Sequence, residues 1–225
     1  MRVQLIKAAS AAFLLALSSQ FAGAQQANVR ERDLIEAAER GEAVVVRRLV
    51  AEGVRLNARD QRGRTALLAA TQRNQIEVAR FLIQEGSDVN AKDHIQDTPF
   101  LYAGAEGRTE ILKFMLSADP DFASINRYGG TALIPAAHHG HVDTVKLLLT
   151  TKIDKDHVNN LGWTALMEAV ILGDGGPKHT EIVRLLVEAG ANVNIPDRDK
   201  VTPLAHAKRR NYAGMVRILT AAGAR

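Results

Sequence analysis

The chain has 225 residues, 46% hydrophobic and 24% charged, a globular balance with room for one or two domains. Aromatics make up only 4%, so the core has to come from Ala, Leu, Val and Ile, which favours close-packed helices over a β-sandwich. The absence of cysteine excludes disulfide and thiolate–metal staples, and a net charge of +4 is too slight to argue for nucleic acid by bulk electrostatics.

Residues 1–24 differ from all that follows. Arg2 and Lys7 form a basic start, "AASAAFLLAL" (8–17) is an apolar run, and Ala22-Gly23-Ala24 precedes Gln25. That order is expected of a secretory signal peptide cleaved after Ala24. A membrane anchor would need about 20 apolar residues, and polar "SSQ" (18–20) interrupts the run too early. Cleavage would remove two cations and no acid, leaving 27 basic against 25 acidic side chains. The expected product is a 25–225 domain, periplasmic or secreted, with no membrane anchor after cleavage.

Downstream the chain repeats. A first copy, "DLIEAAERGEAVVVRRLVAEGVRLNARD", runs from Asp33 to Asp60. Thr65 opens "TALLAATQRNQIEVARFLIQEGSDVNAKD", and the signal returns at Thr98 ("TPFLYAGAEGRTEILKFML"), Thr131 ("TALIPAAHHGHVDTVKLLL"), Thr164 ("TALMEAVILG") and Thr202 ("TPLAHAKRRNYAGMVRILTAAGA"). The steps are 33, 33, 33 and 38 residues, the last becoming 33 when "DGGPK" (174–178) is set aside as a loop insertion between two helices. A fixed period of this size marks a solenoid. Within each copy Thr, sometimes followed by Pro, predicts an N-capped short helix. Ala pairs in that helix let a second one approach closely, and the second presents residues such as Val145, Leu148 and Leu149 at helical spacing. Gly86 and Gly190 suit the left-handed helix end, and Asp60 to Gly63 turns the chain into a hairpin. One unit leaves an apolar face bare, so stacking is what stabilises it.

On these residues, "TPL", "AAHHGH", "EIVRLLVEAGANVN" and "EGSDVNAKD", the chain resembles the ankyrin repeat family over essentially all of 25–225. The resemblance implies an all-α ankyrin repeat solenoid of about six helix-turn-helix units with hairpin loops, near 29–61, 62–94, 95–127, 128–160, 161–198 and 199–225. It also implies a non-enzymatic, exported protein–protein interaction scaffold with an accessory, protective or inhibitory role. Some residues depart from the family pattern. Its helix-opening His is replaced by Leu68, Leu101, Ile134, Met167 and Ala205, so that hydrogen-bond role is not carried over. Asp119 and Lys152 stand where the helix-ending Gly is expected, and Gln96 and Lys200 replace the turn Gly, which predicts reshaped hairpins in the third and fourth units.

The sequence carries no cysteine nucleophile, Gly-x-Ser-x-Gly elbow, phosphate loop, His-Glu-x-x-His or Rossmann glycine signature, so no catalytic or cofactor site is expected. Glu168 and His206 stand at usually apolar inner-helix positions and are expected to be solvated or bonded to neighbouring turns; with His179 they are the one set on which hydrolysis could be centred. His141 occupies the Gly-His turn of the family and reads as scaffold. His138 and His139 end an inner helix and face outward, and they carry an alternative reading as a metal or small-molecule site. Gly140 breaks the helix before His141 can come into line with His138, which weighs against three converging ligands.

The family pattern leaves residue identity free at the hairpin tips and at the exposed ends of the inner helices, which together line the concave side. The predicted partner-binding residues there are Arg62, Arg64, Arg73, His94, Arg127, Tyr128, His138, His139, Leu161, Trp163, Arg198 and Arg209. Ile95, Asp97, Glu106, Leu172, Asp199 and Arg210 belong to the same face. Trp, Tyr and Arg often dominate interface energies. The arginines predict another protein, periplasmic or secreted, with an acidic surface, and no nucleic acid. Polar end units, with Arg32, Glu36, Glu39 and Arg40 at one end and Lys208 and Arg217 at the other, suit a monomer.

Overall fold

The computed structural model describes residues 25–225. The predicted signal peptide, 1–24, lies outside the described residues. Twelve helices follow one another: α1 (25–40), α2 (Ala43–Ala51), α3 (Ala66–Gln72), α4 (Ile76–Gln84), α5 (Pro99–Ala105), α6 (Thr109–Met115), α7 (Leu133–His138), α8 (Val142–Leu148), α9 (Ala165–Ile171), α10 (Pro177–Glu188), α11 (Pro203–Arg209) and α12 (Ala213–Ala221). Among the described residues there is no strand.

The helices stack in two rows. In the inner row α3, α5, α7, α9 and α11 each touch the next, and in the outer row α2, α4, α6, α8, α10 and α12 do the same, while each inner helix packs on the outer helix that follows it. Small inner-row residues allow this closeness: Ala69, Ala70, Ala103, Ala136, Ala137, Ala169 and Ala207 are all buried. Gly104 goes further, since a Cβ there would meet the Ala132 Cβ at 2.7 Å. Leu67, Leu82, Phe100, Leu112, Leu133, Leu148, Leu166 and Leu186 fill the space between rows in one continuous core, to which α1 adds Leu34 and Ile35. Phe100 meets Phe122 edge to face, ring centroids 5.7 Å apart.

Thr65, Thr98, Thr164 and Thr202 cap their helices as their position predicts, each hydroxyl accepting from the backbone N–H three residues on. Thr131 does not. Its hydroxyl is buried without a partner, and α7 starts one residue later than the others, behind Ala132. The cause is Pro135. In the other units the residue four beyond Thr donates its N–H to the Thr carbonyl: Ala69, Tyr102, Glu168 and His206, at 2.9 to 3.0 Å. Proline has no N–H, and its ring clashes with the carbonyl of residue i−4, here that of Thr131. The chain compensates with a bond of shorter sequence span, from Ile134 N–H to the Thr131 carbonyl at 3.3 Å.

Between units the chain makes five hairpin tips of one design. An Asx side chain, Asp60, Asp93, Asn126, Asn159 or Asp197, accepts from the N–H groups two and four residues on. The fourth tip residue is left-handed, with φ of 78° at Gly63, 73° at Gly129 and 85° at Gly162, but also 70° at Gln96 and 60° at Lys200. The tip at Gln96 keeps the same bonds as its neighbours, so the replacement there appears as backbone strain, whereas the third unit is altered at its helix end, where α6 stops at Met115 ahead of Asp119. Asp119 is strained likewise at φ 51°. Lys152 is not left-handed; there the helix end is rebuilt by the Thr151 hydroxyl, which donates to the Leu148 carbonyl at 2.6 Å.

The "DGGPK" insertion is only partly a loop. Pro177 and Lys178 form the first turn of α10, lengthening it to 12 residues. Asp174 folds back to accept from Gly176 N–H at 2.8 Å, and Tyr212 donates to the Gly173 carbonyl at 3.0 Å, which ties this loop to the last unit.

Candidate functional site

The inner helices and hairpin tips enclose a groove of about 460 Å³ at the middle of the stack. Tyr102 and Glu106 reach it from α5 and its end, Pro135, His138 and His139 from α7, and Glu168 and Leu172 from α9; Asp97, Arg127, Tyr128, Asn159 and Leu161 close it from the tips. Five predicted partner-binding residues, Arg127, Tyr128, His138, His139 and Leu161, therefore share one depression.

Its rim is apolar and its floor is acidic. The second residue after each Asx stands at the apex of a tip, and in successive tips it is Arg62, Ile95, Tyr128, Leu161 and Asp199. The middle three make an exposed apolar ladder: Ile95 is 51%, Tyr128 59% and Leu161 52% accessible. Arg127 lays its guanidinium over the Tyr128 ring at 4.7 Å and reaches Asp97 at 3.5 Å. Burial nevertheless holds the Asp97 carboxyl above its ordinary range, against the pull of Arg127. Glu168 is only 6% exposed, and burial pushes its carboxyl up to about 7, opposed by the Asn159 hydrogen bond and by His139. Burial, with His139 and His179 nearby, lowers His138 below the usual imidazole value.

Glu168 and His206 obey one local rule. Each lies nine residues after the Asx of its own tip and bonds to it. Asn159 Nδ2 donates to Glu168 Oε1 at 2.7 Å, and His206 Nε2 lies 2.7 Å from Asp197 Oδ2. An amide donor is matched with an acceptor and a carboxylate with a donor, so each tip is tied to its helix. His179 bridges Asp174 at 2.9 Å and the His138 carbonyl at 2.8 Å. The three residues considered for hydrolysis thus serve three separate turns.

The other predicted residues lie apart from the groove. Arg64 is a correction: it is 5% exposed, and its guanidinium is consumed by Asp60 at 2.8 Å, Glu39 at 3.0 Å and Gln72 at 2.9 Å. Its position before the capping Thr faces inward here because Glu39 and Asp60 supply charge there. The Arg64 guanidinium, with Arg73 at 3.0 Å, in turn holds Glu39 below the usual carboxylate range. Arg198 donates to the Asn160 carbonyl. Trp163 is half-buried and outside the groove lining. His94 is exposed, with its N–H bonded to the Arg62 carbonyl at 3.0 Å. Arg62 and Arg209 are exposed toward the two ends. His139 turns Nδ1 to the Ala105 carbonyl at 2.8 Å; among the described residues no group of three or more His, Asp or Glu side chains is gathered closely enough to hold a metal ion. Sequence reading missed Tyr102, Pro135 and Asn159 as lining residues. The signal that finds them is the register itself, four residues after the capping Thr or at the Asx of the tip.

No helix of the described residues is long and apolar enough to cross a membrane. The ankyrin repeat profile matches the chain in three segments, 5–93, 100–197 and 152–225. A crystal structure of an ankyrin repeat domain from Acinetobacter baumannii AYE is similar over 87% of this chain and 100% of that one, with 49% identity and a TM-score of 0.84. The ankyrin repeat domain of Bcl-3, a member of the IkappaB family, is similar at 28% identity and a TM-score of 0.76, covering 85% and 86% of the two chains. The ankyrin repeat protein YahD of Escherichia coli (strain K12) is 44% identical over 57 residues, 25% of this chain and 28% of that protein. The matched part thus spans little more than a quarter of that relative.

Proposed function

The chain belongs to the ankyrin repeat family, and on that premise we propose that it is an exported, non-enzymatic scaffold that holds another protein in the groove between α5, α7 and α9. Ankyrin repeats are protein–protein interaction modules, and catalysis is not generally their role. The observation that carries the reading is the convergence of Arg127, Tyr128, His138, His139 and Leu161 on one depression, chosen from positions the repeat leaves free. An aromatic and an arginine beside apolar side chains are the residue types that supply interface hot spots. The partner is periplasmic or secreted, in keeping with the leader pattern at residues 1–24. Acidic groups on it meet the ends of the stack, where Arg62, Arg209 and Arg210 stay exposed, Arg62 at 4.0 Å from Asp60, while Arg64 is buried among the chain's own acids. A monomeric stack with polar ends serves this role.

The test is paired affinity capture from a periplasmic extract with residues 25–225 as bait, beside the same chain carrying Arg127→Ala, Tyr128→Ala and Leu161→Ala. A protein retained by the first bait and lost from the second supports the groove; equal retention by both, with equal thermal melts, rejects it. Export is read separately, from N-terminal sequencing of the secreted product, expected to begin at Gln25; a product still beginning at Met1 rejects it.

A further inference from the structure

The charges in the groove do not balance. Arg127 answers Asp97 at 3.5 Å and is stacked on Tyr128. Glu106 and Glu168 line the same space, and among the described residues no lysine or arginine forms an ion pair with either. Glu168 Oε1 accepts from Asn159, whereas the nearest cationic candidate for Oε2 is His138 Nδ1, at 3.7 Å and beyond hydrogen-bond distance. A carboxyl buried to this degree, with one oxygen free toward a groove, either keeps a proton or draws in a cation. Directly beside it runs the apolar ladder of Ile95, Tyr128 and Leu161, three side chains about half exposed at a 33-residue step, with Arg127 laid over the middle one. Arg62 and Asp199 replace the apolar residue in the flanking tips, so the ladder is limited to Tyr128 and Leu161, which line the groove, and Ile95 one tip beyond them.

We propose that the groove is a receptor for a basic side chain, a lysine or arginine of a protein segment that seats its cation at Glu168, in a groove that Glu106 also lines, and lays apolar neighbours along Tyr128 and Leu161 toward Ile95. This rests on the protein-binding reading and adds the chemistry of what is bound. The segment's cation supplies the donor that Glu168 Oε2 lacks, and its apolar flanks exclude water from the pair, which strengthens the attraction. Partner acids then fall outside the groove, against Arg62 at one end and Arg209 at the other.

The experiment is selection of a phage-displayed random peptide library on residues 25–225, with wild type, Glu168→Gln, and Tyr128→Ala with Leu161→Ala as parallel targets. Glutamine still accepts the Asn159 hydrogen bond, so the first variant keeps the fold, and thermal melts check it; Glu106→Gln, at a less buried position, is the second charge variant. The expected result is enrichment of peptides with Lys or Arg flanked by apolar residues, whose affinity, read by fluorescence anisotropy, falls about tenfold or more in Glu168→Gln. Peptides that depend on Tyr128 and Leu161 but are neutral or acidic overturn the basic-anchor inference while leaving the protein-binding groove in place. Failure to enrich any peptide on wild type over the Tyr128→Ala, Leu161→Ala target overturns both.

Discussion

Single residues hold this fold to a repeated geometry even where their chemistry is unsuited to it. Gln96 and Lys200 take left-handed backbone at φ 70° and 60° because the tip bonds on either side fix it. A non-glycine residue there costs about 1–2 kcal/mol, partly offset by glycine's greater freedom in the unfolded chain. Gln96→Gly and Lys200→Gly are each expected to stabilise by about 0.5–1 kcal/mol, read as a rise in the urea midpoint without a change in slope. Glu168 makes a second residue-scale prediction. Its folded carboxyl titrates near 7 against an ordinary 4.5, so the folded state keeps a proton that the unfolded state has already lost. Its contribution to stability therefore falls as pH rises from about 4.5 to about 7, and is flat outside that window. His138, His139 and Asn159 face the same carboxyl, and the lowered His138 gives a slope of opposite sign. The difference between wild type and Glu168→Gln in a pH series of urea melts isolates the carboxyl; identical pH profiles would show that it does not titrate there. Asn159→Asp should cost about 2–3 kcal/mol at pH 8 by setting two carboxylates against each other. Adding Glu168→His should recover part of the loss by copying the Asp197–His206 pair of the last unit.

At the scale of the element, identical signals did not give identical helices. Five Thr begin inner helices in the sequence, and Thr131 alone fails to cap, because Pro135 cannot donate to it. Thr65→Val should lose the cap and about 1 kcal/mol, whereas Thr131→Val should be neutral or stabilising, since its hydroxyl is buried without a partner. Pro135→Ala should restore the ordinary start of α7 and raise the melting temperature by a few degrees. Equal losses at Thr65 and Thr131 in thermal melts would contradict this account. The departure was not visible as long as the unit was read as a pattern, but the i−4 relation between Pro135 and Thr131 is present in the sequence. The insertion behaves in the reverse way: "DGGPK" has the composition of a loop, yet Pro177 suits the first turn of a helix and α10 absorbs it.

For the whole molecule, stability is the sum of neighbouring contacts along the stack. Gly104 sits at the middle contact, where α5 meets α7 more closely than a side chain allows. Gly104→Ala should cost about 1–3 kcal/mol and, more tellingly, uncouple the two halves, so that urea unfolding by circular dichroism broadens or splits. A single sharp transition of unchanged slope would argue against the additive picture. The groove is likewise a property of the stack, because its lining comes from α5, α7, α9 and three tips.

The period and the all-α repeat architecture are legible in the amino-acid order, because a repeat forces the same short-range bonds wherever the same residues recur, and the same register puts eight residues of the groove lining on one face. The amino-acid order reads Glu168 and His206 as solvated or bonded to neighbouring turns, and in the structure each is tied to the Asx of its own tip, nine residues earlier. Which surface residues are available depends on how the units stack. Arg64 and Arg127 read alike as tip arginines. One is sealed by Glu39, contributed from 25 residues earlier, and the other lies open on Tyr128. Whether a charge is a contact or a strut depends on the unit stacked beside it, and the acidic groups beside an apolar rim come together only when helices far apart in sequence share one groove.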